Sequence, residues 1–322
     1  MGTIRRLFAV AILFAIVAGG WFAYGWYGSG ALETDTNFII PSGSSLTSVA
    51  HKLEDEGIVA SAEAFLLRAK ILGGGDAIQA GEFALPAGAS PASILSMFQS
   101  GETINRFVTV PEGMPSILVH EKLMAEPLLT GEIPVPEEGS VLPDTYSFER
   151  GEARTAVLAR MQAAMRNYLA EAWPKRKPGI AITNINDAVT LASIVEKETG
   201  KPSERRMVAG LYSNRVKTGM LLQADPTVIY PITRGKPLGR RIRQSELRAI
   251  NDYNTYSMTG LPKGPITNPG RESIAAVLDP ASTSALYMVA DGTGGHKFAD
   301  TLDEHNANVA EWYELRRQRG EM

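Results

Sequence analysis

An uncharged run from Leu7 to Tyr27, LFAVAILFAIVAGGWFAYGWY, limits what this chain can fold into more than any other feature. A helix rises about 1.5 Å per residue, so the run spans roughly 30 Å, the thickness of a bilayer's hydrocarbon core. Arg5 and Arg6 precede it, and the first charges after it are the acidic Glu33 and Asp35. The positive-inside rule then places the N-terminus in the cytoplasm and the rest of the chain outside. Trp21, Tyr24, Trp26 and Tyr27 gather at the outer end, as an interfacial aromatic belt does. A cleaved signal peptide is the rival reading, because Gly28-Ser29-Gly30-Ala31 offers small residues, but the apolar run is longer than a usual signal core. The expectation is an uncleaved single-pass anchor over 7–27 with a cytoplasmic tip over 1–6. Arg6 stands where a myristoylation signal needs Ser or Thr.

With 322 residues, the chain has room for two domains beyond the anchor. A net charge of −3 gives no basic footprint for nucleic acid. Without cysteine there are no disulfides, thiolate metal sites or cysteine nucleophiles. His51, His120, His296 and His305 are scattered and form no HExxH, so a zinc-protease reading has no support.

From Phe38 to about Thr103 the pattern predicts one small unit. Phe38-Ile39-Ile40 is a short strand, and a turn through Gly43 leads to a helix carrying Leu46, Val49, Ala50 and Leu53. A second helix covers Ser61–Leu72 and ends in three glycines. Gly81–Leu85 is a strand, and Ser90 with Pro91 opens another helix. Both a spacer and a glycan-binding module of the LysM type fit this pattern. The second domain begins near Phe107-Val108-Thr109-Val110. Its next features are a Pro, Gly and Glu-rich loop over 131–144 and a helix over Thr155–Trp173 whose apolar stripe reads as core.

The informative stretch begins at Asn186, read as an N-cap, and runs to Glu196-Lys197-Glu198-Thr199-Gly200. Ala188, Leu191, Ala192 and Val195 mark a buried face. Gly200 suits a left-handed stop, and Pro202 prevents continuation. Glu196 and Glu198 point roughly 200° apart, so they cannot share one cleft. The wheel favours Glu198 as the less solvated of the two. A helix C-terminus and partial burial both disfavour its ionisation, which is what a general acid needs. On helix logic alone, two surface glutamates at a helix end are the commoner arrangement.

The next helix is read as capped by Ser203, buried along Met207, Val208, Leu211 and Tyr212, and stopped by Gly219. Gln223, Asp225, Thr227 and Tyr230 then crowd hydrogen-bonding groups and a ring together, the mixture that binds sugars. Tyr253-Asn254-Thr255-Tyr256 repeats that mixture, and ordinary turn chemistry explains it equally well. Asp291-Gly292-Thr293-Gly294-Gly295-His296 is expected to be a hairpin turn, since it lacks the ending of a phosphate loop. His305 reads as structural.

Taken together, the chain resembles the MltG/YceG-like family of endolytic murein transglycosylases. The resemblance rests on LASIVEKET (191–199), LQADPTVIY (222–230), YNTY (253–256), TGLP (259–262), VADG (289–292) with His296, and His305-Asn306. It is dense over 187–310 and looser before. It implies an α+β fold: an N-terminal transmembrane helix, a small LysM-like α+β domain over 37–104, and a larger mixed α/β catalytic domain over 105–317. It further implies a membrane-anchored, periplasm-facing lytic transglycosylase of the bacterial inner membrane, acting on peptidoglycan glycan strands without metal or cofactor and associated with peptidoglycan synthases. Glu198 matches the family's catalytic glutamate. Gln223, Asp225, Thr227, Tyr230, Tyr253 and Asn254 are the expected cleft lining. Two rivals remain: a non-catalytic peptidoglycan-binding scaffold, and a two-carboxylate hydrolase with Asp225 or Asp252 as second acid.

Overall fold

The computed structural model describes residues 2–321. Helix α1 (Gly2–Tyr27) contains the uncharged run and is long and apolar enough to cross a membrane. The chain divides into two compact units, residues 1–106 and 107–322.

In the first unit, β1 (Thr36–Ile40) and β2 (Gly81–Leu85) pair antiparallel, Thr36 opposite Leu85 and Ile40 opposite Gly81. Between them lie α2 (Leu46–Asp55) and α3 (Ala62–Leu72), and α4 (Pro91–Ser100) follows. Serines start all three helices: Ser45, Ser61 and Ser90 each accept a hydrogen bond from the backbone N–H three residues on. The core is aromatic and aliphatic. The Phe98 ring stacks on Phe38 at 5.5 Å and meets Phe83 edge-on at 4.9 Å. Arg106 pairs with the buried Glu82 at 2.6 Å.

The second unit has two apolar cores. One gathers β3 (Arg106–Thr109), α5 (Ser116–Ala125), β4 (Thr145–Phe148), which pairs with β3, and α6 (Arg154–Ala172) around Val119, Leu123, Val157 and Met161. The other is built on α7 (Ile185–Glu198) and α8 (Arg205–Thr218). Beyond them come α9 (Asp225–Thr233), the short α10 (Gln244–Leu247) and α11 (Arg271–Leu278), which packs on both α7 and α8. An antiparallel hairpin, β5 (Tyr287–Ala290) and β6 (His296–Ala299), precedes the closing helix α12 (Leu302–Gln318).

Several local expectations are corrected. Asn184, not Asn186, caps α7, accepting from the Asp187 N–H at 2.9 Å. The chain leaves α7 through extended Thr199 (φ −133°), so no left-handed glycine is needed there. Ser203 lies in a short 3₁₀ turn and does not cap α8, although Gly219 does end it at φ 68°. The polar run after Leu222 is partly helical, because Pro226 suits the first turn of α9.

Candidate active site

The last turn of α7 separates its two carboxylates. Glu196 turns toward the start of α11, where one oxygen accepts the Gly270 N–H at 2.9 Å and the other lies 3.8 Å from Arg205. Its side chain is only 6% exposed, less solvated than the helical wheel implies, because it holds a helix N-terminus. Arg205 also pairs with Glu112 at 3.0 Å.

Glu198 faces a pocket of about 250 Å³ instead. Helix α8 supplies Tyr212 and Arg215, three residues apart and therefore on one face. The loop into α9 supplies Gln223 and Asp225, the following loop Tyr256, and the β5–β6 hairpin Met288, Val289, Ala290 and His296. Glu198 keeps partial exposure through the pocket mouth, yet protein atoms crowd it on every other side. This burial pushes its carboxyl up to about 7, the Tyr212 hydroxyl hydrogen bond pulls down, the Asp225 charge pushes up and Arg215 pulls down. Burial and the neighbouring Glu198 carboxylate in turn keep Tyr212 protonated far beyond the usual phenol range.

Arg215 is held by backbone oxygens. Its Nε donates to Leu286 at 2.6 Å and its Nη1 to Leu222 at 2.7 Å and Leu221 at 3.3 Å. One guanidinium thus ties the hairpin's approach to the Gln223 loop beside Glu198. Tyr256 donates to Asp225 at 2.6 Å. His296 sits 2.9 Å from Glu204 through Nδ1, and its backbone N–H donates to the same carboxylate at 3.2 Å, pinning the hairpin to the foot of α8.

Of the expected lining, Gln223 and Asp225 reach the pocket and the other four do not. Thr227 is fully buried, donating to the Ala224 carbonyl at 2.7 Å and bonding Thr255 Oγ1 at 2.8 Å. Asn254 is buried too, its amide donating to the carbonyls of Glu246, Leu247 and Ala249. Neither lines the pocket, and internal partners that occupy their polar atoms make both of them ties within the loops. The Tyr230 and Tyr253 rings lie 4.9 Å apart outside this pocket, with Tyr230 bonded to Glu138. Gln223 occupies the left-handed region at φ 52°, an unusual state for a residue with a side chain, and its N–H donates to Thr255 at 3.1 Å. Asp252, considered as a second acid, pairs with Lys263 at 3.1 Å and lies outside the pocket.

Sequence reasoning did not single out Tyr212 or Arg215 for the pocket, and it met Tyr256 and the hairpin residues only as parts of longer runs. An arginine at a buried helix position was the available signal for Arg215. Among the described residues, no three His, Asp or Glu side chains cluster in a way that holds a metal ion.

The pocket is thus defined by one crowded carboxyl, Glu198, raised to about 7 at the end of a helix. The pattern of the YceG-like family matches residues 38–311, and the chain belongs to that family. An endolytic murein transglycosylase of Bacillus subtilis is 29% identical over 327 residues, covering 90% of this chain and 89% of that protein. One from Streptococcus pneumoniae strain D39 is 28% identical over 94% of this chain and 64% of its own length. A crystal structure of a YceG-like protein from Listeria monocytogenes superposes with a TM-score of 0.52 at 26% identity, covering 85% of this chain and 98% of that one.

Proposed function

We propose that this chain is an anchored endolytic lytic transglycosylase that cuts N-acetylmuramic acid–N-acetylglucosamine bonds with Glu198 as its one acid/base. The observation that carries the reading is a carboxyl raised to about 7 inside a pocket, while the neighbouring Glu196 is engaged by Gly270 and Arg205. A carboxyl of that pKa holds its proton in a large fraction of molecules near neutrality and also accepts one readily. Protonated Glu198 gives its proton to the glycosidic oxygen as the C1–O bond breaks, and N-acetylglucosamine departs with a free 4-hydroxyl. The resulting carboxylate takes the proton of the muramic-acid C6 hydroxyl, whose oxygen bonds to C1. The product is a 1,6-anhydro end, with no water consumed. Arg215 and Tyr212 stabilise the carboxylate during the interval in which it is charged.

Family membership and the relatives' names support the substrate class. The anchor reading rests on α1, with Arg5 and Arg6 before the apolar run and exposed Trp21, Tyr24 and Tyr27 toward its end. That orientation puts the pocket in the periplasm with its polymer. The βααβ order of β1, α2, α3 and β2 supports a LysM-like unit that contacts glycan, and the synthases that make the strands are the expected partners.

A hydrolase is the second reading, because Asp225 lines the same pocket and its charge is felt by Glu198. Mass spectrometry of digested glycan strands decides between them: anhydro ends support the transglycosylase and reducing ends the hydrolase. Glu198→Gln should lower turnover by roughly 10²–10⁴-fold with the fold intact, the range for loss of a general acid/base. Undiminished turnover would remove Glu198 from the chemistry.

A further inference from the structure

We infer that one face of α3 in the first unit lies on the lipid surface, so that this unit is seated on the membrane and does not swing on a tether. The inference rests on the proposed role of α1 as a membrane anchor. Helix α1 does not end in a free linker. Its Trp26 is 1% exposed and packs on Phe65 of α3, with ring centroids 5.6 Å apart. From α3, Arg68 reaches back along α1. Its Nε donates to the Phe22 carbonyl at 3.2 Å, and its guanidinium lies 5.3 Å from the Phe22 ring. Just beyond α1, the Gly30 N–H donates to Gly88 at 3.1 Å, a second tie to the same unit. Together these contacts fix α3 against the last turns of α1, the level at which a spanning helix leaves the hydrocarbon.

At that level α3 exposes apolar side chains that its own unit leaves uncovered. Leu67 is 53% and Ile71 61% exposed. They lie four residues apart on one stripe, on the flank of the helix next to Arg68 and away from the buried Phe65 and Ala69. Lys70 borders the stripe on its other side, a basic side chain placed to meet headgroup phosphates. A soluble partner would have to bind this stripe within the headgroup layer, because α1 holds it there. The occupant that continuity with α1 specifies is the bilayer itself, with Leu67 and Ile71 dipping into the boundary between headgroups and acyl chains.

The chain contains no cysteine, so single labels can be placed on the full-length protein in lipid vesicles. Four variants suffice: Ile71→Cys, Leu67→Cys, Phe14→Cys in the exposed middle of α1, and Ser42→Cys in the exposed β1–α2 turn, at the end of β1 remote from α1. Each carries an environment-sensitive fluorophore and is read in vesicles with and without nitroxide-labelled lipid. The expected result is a blue shift and a loss of about half the emission or more at Ile71 and Leu67, as for a group at the interface. Phe14 should be quenched by nitroxide deep in the acyl chains, and Ser42 by neither lipid. If Phe14 is quenched while Ile71 and Leu67 behave like Ser42, the seated face is wrong and the anchor stands. Quenching of Ser42 equal to that of Ile71 would also overturn a specific face. An unquenched Phe14 would overturn the anchor, and this inference with it.

Discussion

The two units differ in what they bury. In the first unit the core is carbon, and among the described residues Glu82 is its one buried polar side chain. The second unit threads buried polar groups through its core, including Ser193, Arg215, Thr227, Asn254, Thr255 and Asn268, most with several internal partners. An apolar core is enough to give a small unit its shape. A pocket that holds one carboxyl near neutrality needs irregular loops at fixed positions, and buried loop backbone must find hydrogen-bond partners away from the helices. Polar side chains in the second unit supply those partners, which makes its interior less tolerant of substitution.

Arg215 is where this contrast can be broken most decisively. Arg215→Met keeps much of the side chain's length and removes the donors to three carbonyls, Leu221, Leu222 and Leu286. Leaving them unpaired in a buried site should cost about 3 kcal/mol, read as a lower unfolding midpoint for the second unit. The same change removes a positive charge that pulls the Glu198 carboxyl down. The alkaline fall in activity, where Glu198 loses its proton, should therefore move to higher pH. A loss of stability no greater than that of a surface substitution would remove the distinction between the units.

These differences also govern what the sequence made readable. Serine caps, Pro91 after Ser90 and the stripes of α2 and α3 are local signals, and they predict the first unit's elements closely. Helix α7 and its diverging glutamates were readable for the same reason. Less legible are the contacts whose partner no periodicity or cap signal specifies. Thr227 and Asn254 read as sugar ligands in the sequence, and in the structure Thr255 and the carbonyls of Glu246, Leu247 and Ala249 occupy their polar atoms. His296 joins the pocket only because Glu204, far upstream, holds the hairpin in place. Tyr212 sits on a stripe that periodicity assigns to the core. It is indeed buried there, and one hydroxyl at its tip adds the contact with Glu198. For α9 the Asp225-Pro226 start was a valid signal, masked by Pro231 within the same helix.

Glu198 gives a second test, in stability. Its folded-state pKa of about 7 lies above the ordinary carboxyl value of 4.5. Below about pH 4.5 the carboxyl is protonated in both states and the pair of states feels no difference. As pH rises from there to about 7, the unfolded chain gains from ionisation and the folded one does not, so stability falls, and above 7 the loss is constant. Glu198→Gln fixes the neutral form. It should match the unaltered protein near pH 4 and exceed it by on the order of 2 kcal/mol at pH 8, seen as a diverging pair of thermal midpoints. Parallel curves across that range would show that the carboxyl is not crowded as described.

The smallest expected effect isolates the loop clip itself. Thr227→Val keeps the shape and deletes a hydroxyl that donates to Ala224 and bonds Thr255. It should destabilise by about 1 kcal/mol, the usual worth of one buried hydrogen bond. Thr255→Val should cost about as much, because each hydroxyl also accepts a backbone N–H, that of Ala224 at Thr255 and that of Thr255 at Thr227. The double variant should cost less than the two singles added, since removing one hydroxyl already forfeits the bond they share. Turnover should fall in each variant, because the clip fixes Ala224 and with it the flanking Gln223 and Asp225 at the pocket wall. Strict additivity in stability, or unchanged turnover in both singles, would mean that the buried polar network of the second unit is packing alone and does not set the geometry of the site.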